Sequence, residues 1–282
     1  MYKRILVPMD GSPLSEQVLP YVRVLAQSLA APIELMRVIN PVPQELSDPV
    51  HGLYTDQVSA SFKNSAEESL SGYVDSLKDM DVEVSSFAQE GEPAAGIVDE
   101  AARNPDTLIA MATHGRSGIG RWVLGSVTDK VLHATTNPLF IVRGKPEGST
   151  TGDAKIDNII VPQDGSAVAE QILPHAISLS RTLGVKIIAF TIIPSEQSHA
   201  HEEDHLRQLG ERLLGEGAHS FEARVLHADP AKAIVDMTHE MPDSLVAMTT
   251  HGHSGVGHWV LGSVTDRVVR YSGAPVLVIR AE

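Results

Sequence analysis

The stretch HGRSGIGRWVLGSVTD at 114–129 recurs as HGHSGVGHWVLGSVTD at 251–266, with three of sixteen residues changed and every glycine kept. A duplication of this length means that the chain folds one unit twice. The offset of 137 extends upstream, where EPAAGIVDEAARNPDTLIAMATHG aligns with DPAKAIVDMTHEMPDSLVAMTTHG. Near the start, ILVPMDGS (Ile5 to Ser12) matches IIVPQDGS (Ile159 to Ser166) at an offset of 154, so copy two is shorter in between by 154 less 137, or 17 residues. The stretch from Asn40 to Asn64, with its Pro, Ser and Asp content, reads as a longer loop in copy one. GKPEGSTTGDAK, Gly144 to Lys155, reads as a linker between two domains, 1–146 and 153–282.

Within each copy, compact apolar runs alternate with helical patterns. RILVPM, IELMRVI, VEVSSFA, TLIAMA and PLFIVR have the length and composition of strands, while Leu14, Val18, Leu19, Val22, Leu25 and Leu29 follow helical spacing. Strand then helix, repeated, makes a parallel sheet. The predicted fold class is therefore α/β: two tandem doubly wound, Rossmann-like domains, each a five-stranded parallel sheet flanked by helices. The first helix is expected to start at Ser12-Pro13, with Ser12 as cap and Ser166 capping its counterpart. In such sheets ligands sit beyond the carboxyl ends of the strands at the switch point. Asp10, after the first run, and Gly115, after the fourth, would then face one crevice.

Composition narrows the partners. With 22 basic against 36 acidic side chains the net charge is -14, which repels nucleic acid and anionic membrane at long range. A nucleotide is still admissible, because helix N-termini and backbone N–H groups capture phosphate locally. The absence of cysteine excludes disulfides, thiolate metal sites and thiol nucleophiles. The opening apolar run is broken by Asp10 too early for a secretory signal, and the longest apolar stretch, around Val185 to Pro194, falls short of the roughly 20 residues a bilayer requires. The cytoplasm is the expected compartment.

The glycine segment is neither a Walker A loop nor a GxGxxG turn after a first strand. It consists of a strand (Leu108 to Ala112), a loop with Gly115, Gly118 and Gly120, and Gly125-Ser126 opening the helix SVTDKVLHA. Glycines admit close backbone approach, and the first N–H groups of the helix favour an anion. The competing reading is purely local: Ser126 with Asp129, and Ser263 with Asp266, form an S-x-x-D capping pattern.

In these motifs the chain resembles the universal stress protein family in its tandem form, whose ATP-binding members carry G-x2-G-x9-G-[ST] after the fourth strand. Gly115, nine residues and Gly125-Ser126 fit that pattern, as do Gly252, nine residues and Gly262-Ser263. DGS, THGRSG, LGSV and the proline-led last strand match as well. The resemblance implies ATP, ADP or AMP as ligand, with Mg as an accompanying ion, and no catalytic residue. It places nucleotide contacts in copy one on Pro8, Asp10, Val38, Met111, Ala112, His114, Gly115, Arg116, Gly118, Gly125, Ser126 and Val127. In copy two they fall on Pro162, Asp164, Thr191, Met248, Thr249, His251, Gly252, Gly255, Gly262, Ser263 and Val264. It also implies a homodimer beyond the contact between copies. The last strands, PLFIVR and PVLVIR, can pair within the chain or between chains.

The first glycine of the motif is replaced by Ala112 in copy one and by Thr249 in copy two, and the larger β-branched side chain makes copy two the weaker site. Val38 as an apolar wall against Thr191, and Arg116 against His253, point the same way. His114 and His251 read as structural hydrogen-bond partners, and Trp122 and Trp259 as packing residues. HEEDH, His201 to His205, satisfies H-E-x-x-H, but its surroundings are polar and acidic, and with His199 nearby it reads as a solvated helix start that can at most pick up a metal adventitiously. The function expected is a nucleotide-binding stress and regulatory protein. An ATP-independent dimeric scaffold of the same fold and a slow ATP-hydrolysing enzyme are the alternatives.

Overall fold

The computed structural model describes residues 1–41, 52–113, 124–144, 154–193, 200–250 and 262–281. Copy one runs β1 (Arg4–Pro8), α1 (Leu19–Leu29), β2 (Ile33–Ile39), α2 (Gly52–Ser76), β3 (Val84–Glu90), α3 (Pro93–Ala102), β4 (Thr107–Thr113), α4 (Ser126–Ala134) and β5 (Leu139–Arg143). Copy two runs β6 (Asn158–Pro162), α5 (Ala167–Glu170), α6 (Leu173–Leu183), β7 (Lys186–Ile192), α7 (Ala200–Gly215), β8 (Ser220–Leu226), α8 (Pro230–Glu240), β9 (Ser244–Thr250), α9 (Ser263–Tyr271) and β10 (Val276–Arg280).

The strands form one sheet of ten in the order β3-β2-β1-β4-β5-β10-β9-β6-β7-β8. Each copy contributes five parallel strands, and the only antiparallel step in this order is β5 on β10, with Phe140 opposite Leu277. The pairing left open by the sequence is thus made within the chain. Near-continuous apolar runs such as RILVP and LFIVR are buried on both faces, as parallel strands covered by helices must be. Ile5, Val7, Leu108, Ala110 and Phe140 face one core layer with α1, α2, α6 and α7. Leu6, Ile109, Met111, Leu139 and Ile141 face the other, with α3, α4, α8 and α9. Both layers run through the two copies without a break.

The first helix starts later than expected. Ser12 Oγ does accept from the Ser15 N–H at 3.2 Å, but this caps only a 3-10 turn, Ser15–Val18, and α1 begins at Leu19. Pro20 is the reason. It has no N–H for the preceding turn and is accommodated in the first turn of a new helix. Copy two divides likewise, with Ser166 capping α5 and Pro174 in the first turn of α6.

The Asn40 to Asn64 loop is also corrected. From Gly52 onward this stretch belongs to α2, a helix of 25 residues against 16 in its counterpart α7. Much of the extra length of copy one is therefore helix. Its buried stripe, with Ala66 and Leu70 and then Leu77 just past its end, starts beyond the polar stretch that suggested a loop.

Because β5 and β10 are antiparallel, the strands of the two copies end at opposite ends of the sheet, and so do their two switch points.

Candidate functional site

In each copy the first and fourth strands are neighbours whose connections lead away to opposite sides, which opens a crevice beyond their carboxyl ends. In copy one, Asp10-Gly11-Ser12 forms one wall. The Asp10 carboxylate accepts from the Ser12 N–H at 2.9 Å and from its hydroxyl at 2.6 Å. Gly11 has φ +81°, a left-handed conformation that favours glycine. Burial would raise the Asp10 carboxyl, but the Ser12 hydrogen bonds outweigh it and hold the group below its ordinary value. Asp10 is thus an anion at neutral pH.

The opposite wall is the start of α4. The Gly125 N–H donates to Thr113 Oγ1 at 3.1 Å, and the Thr128 hydroxyl donates to Ala112 O at 3.4 Å, which tie the helix to the end of β4. Gly125 itself is the N-cap, and no side chain caps the helix. The capping reading of Ser126 and Asp129 therefore fails: Ser126 is the first helical residue and is exposed, with its hydroxyl not committed to the cap. Gly262 is likewise the N-cap of α9 without a side-chain cap, so Ser263 does not cap either. The opening N–H groups of both helices have no intrahelical acceptor, and with the helix dipole they form an anion seat.

Between these walls lies a cleft of ≈ 290 Å³ lined by Pro8, Met9, Asp10, Leu14, Ser15, Met36, Val38, Pro93, Ile97, Met111, Ala112 and Gly125 to Thr128. It brings together Pro8, Asp10, Val38, Met111, Ala112, Gly125, Ser126 and Val127 from the sequence reading. Met36 and the pair Pro93 and Ile97 were missed, although period two from Val38 and the i, i+4 spacing on α3 point to them. One end of the cleft is apolar and the other is lined by Asp10 and the α4 N-terminus, a division suited to a ligand with a flat apolar part and an anionic part.

The corresponding cleft of copy two measures ≈ 200 Å³ and is lined by Pro162, Gln163, Asp164, Ser166, Val168, Ala169, Phe190, Ile192, Pro230, Ile234, Met248, Thr249, Val264 and Thr265. Pro162, Asp164, Met248, Thr249 and Val264 are the expected residues. Thr191 is not among the lining residues and is corrected. Pairing of Pro8 with Met36 and of Pro162 with Phe190 makes Ile192 the counterpart of Val38. A slip of one residue moves a strand side chain to the opposite face, and Thr191 is buried away from the cleft. The apolar wall is therefore present in both copies.

His114, Gly115, Arg116, Gly118, Trp122, His251, Gly252, His253, Gly255 and Trp259 lie outside the described residues, as does His199. Of HEEDH, Glu202 and His205 are partly buried on α7, and among the described residues no group of three or more His, Asp or Glu side chains could hold a metal ion. No described helix is long and apolar enough to cross a membrane.

Comparison with known proteins agrees with this architecture. The profile of the Universal stress protein family matches residues 1–143 and again 155–280. A universal stress protein of Mycolicibacterium smegmatis is 26% identical over 290 residues, covering 98% of this chain and 96% of that protein. One from Methanocaldococcus jannaschii is 29% identical over 147 residues, 52% of this chain and 85% of the relative. The crystal structure of a universal stress protein from Archaeoglobus fulgidus superposes with a TM-score of 0.78 at 25% identity, covering 99% of both chains.

Proposed function

The chain belongs to the universal stress protein family, and we propose that within it this protein binds an adenine nucleotide, ATP foremost, as a regulatory ligand in the switch-point cleft of copy one. The observation that carries the reading is the uncapped start of α4 facing Asp10 across an apolar cleft: the Ser126 hydroxyl and the opening N–H groups are left for an anion. The base would lie against Met36, Val38, Pro93 and Ile97, the ribose near Pro8 and Asp10, and the phosphates over Gly125 to Val127. Asp10, held as an anion, also suits a ribose hydroxyl or a Mg ion accompanying the phosphates.

Copy two is the weaker site in this reading. Thr249 takes the place of Ala112 and the cleft is smaller, ≈ 200 against ≈ 290 Å³. The contrast of Val38 with Thr191 drops out, since Ile192 supplies the wall. Binding serves as a signal of nucleotide supply, and turnover forms no part of the proposal. With β5 and β10 already paired in the chain, a homodimer would use another surface.

The test is mass spectrometry of small molecules released from gently purified protein, followed by ATP titration of the stripped protein. A bound adenine nucleotide, or saturable ATP binding that Ser126→Ala weakens, is the expected result. Protein that carries no nucleotide and takes none up is the scaffold.

A further inference from the structure

The two clefts differ most in their floors. The register that aligns Ile160 with Val246 in copy two, continued three residues, sets Gln163 beside Thr249, and the matching register of Leu6 with Ile109 sets Met9 beside Ala112 in copy one. Both polar residues line their cleft, at 4% and 9% exposure. The Gln163 amide nitrogen donates to Pro162 O at 3.0 Å and to Ala169 O at 3.2 Å, so both its hydrogens are used and the amide orientation is set. Gln163 Oε1 is then a buried acceptor without a donor, and Thr249 Oγ1 is a buried hydroxyl without a partner. Neighbouring unmet polar atoms are unfavourable in a folded interior, and copy one avoids them with a thioether and a methyl group.

We propose that copy two is a distinct ligand site that selects its nucleotide through a hydrogen-bond donor, passed from the ligand to Thr249 Oγ1 and from the Thr249 hydroxyl to Gln163 Oε1, whereas copy one selects by shape. The proposal rests on the nucleotide reading of the clefts. It satisfies both orphan oxygens in one chain: Thr249 accepts from the ligand and donates to Gln163, after a rotation about χ1 that turns the shielded hydroxyl toward the cleft. The donor is an N–H of the base or an O–H of the ribose. A ligand lacking it leaves the chain open and binds less tightly, whereas at the Met9 and Ala112 floor its loss goes unnoticed.

Val38→Trp fills the copy-one cleft, and calorimetry on this variant compares ATP, 2′-deoxy-ATP, 3′-deoxy-ATP and purine riboside triphosphate, which lacks the exocyclic amine. The proposal expects one analogue to bind about tenfold more weakly than ATP, which identifies the donor. Adding Thr249→Val, which keeps the shape and removes the hydroxyl, should reduce that difference to less than about twofold, and Thr249→Ser should restore it. Equal affinities for all four nucleotides, or discrimination that survives Thr249→Val, overturns the proposal while leaving nucleotide binding intact. If native mass spectrometry of the unsubstituted protein finds nucleotide at neither cleft, the nucleotide reading falls and this inference falls with it.

Discussion

The Tyr2 hydroxyl and Nδ1 of His175 share a hydrogen bond of 2.7 Å across the two copies, with ring centroids 5.6 Å apart. Tyr2 precedes β1 and is 5% exposed, and His175 lies in the first turn of α6, so the contact joins the copies on the α1 and α6 side of the sheet. Burial raises the Tyr2 hydroxyl and lowers His175 to about 4, with the positive N-terminus acting in the same direction on the histidine. Both groups are neutral at pH 7.

This pair makes stability depend on pH. A histidine whose folded value, about 4, lies below the ordinary 6.5 contributes fully above the ordinary value, and the contribution is lost as pH falls from about 6.5 toward 4. Urea unfolding at pH 7.5 and pH 4.5 should show a loss of about 1–3 kcal/mol assignable to His175, discounted for its partial exposure. His175→Phe should flatten that part of the profile. An unchanged profile would mean that the imidazole takes up its proton without leaving its site.

Two serines at helix starts should behave in opposite ways. Ser166 accepts from the Ala169 N–H at 3.1 Å, so Ser166→Ala should destabilise by about 1 kcal/mol. Ser126 follows the N-cap of α4 without capping it, so Ser126→Ala should change stability by less than about 0.5 kcal/mol and weaken ATP roughly tenfold. Thermal denaturation and calorimetry on the two variants separate a cap from a ligand contact.

Phe140 is 1% exposed at the centre of the sheet, opposite Leu277 and 6.0 Å from the ring of Tyr21. Phe140→Ala should destabilise by about 3–5 kcal/mol. Since the residue lies on the joining strand, amide exchange should rise in β5 and β10 before it rises in β2 or β7.

The ranking of the clefts has its own test. Val38→Trp and Ile192→Trp fill equivalent walls, so the first should remove the tighter ATP site and the second should spare it. The opposite result would place the tighter site in copy two and show that Thr249 is compatible with a bound nucleotide.

The repeat made much of this legible. Strand runs could be read twice, and Asp10, Ala112 and Gly125 could be placed in one crevice because a parallel sheet leaves little choice of where its strands end. Three readings went astray for local reasons. Pro20 interrupts a helix whose apolar spacing continues through it, the first part of α2 is too polar to show a stripe, and Thr191 was taken for the residue beside it, which on a strand means the other face. Gln163 was visible as the single difference in the last four residues of ILVPMDGS and IIVPQDGS. What a glutamine does beside a threonine depends on which face each occupies and on which carbonyls take up its amide, and these appear only with the register.

The pairing of β5 with β10 also sets a ratio. Where such a seam joins separate polypeptides, dilution loosens it and exchange mixes unlike subunits. Here the two sides are tethered, so their effective local concentration does not follow expression level. Two unequal clefts are therefore present in a fixed one-to-one stoichiometry, and each is free to diverge without the risk that a mutated subunit pairs with its twin.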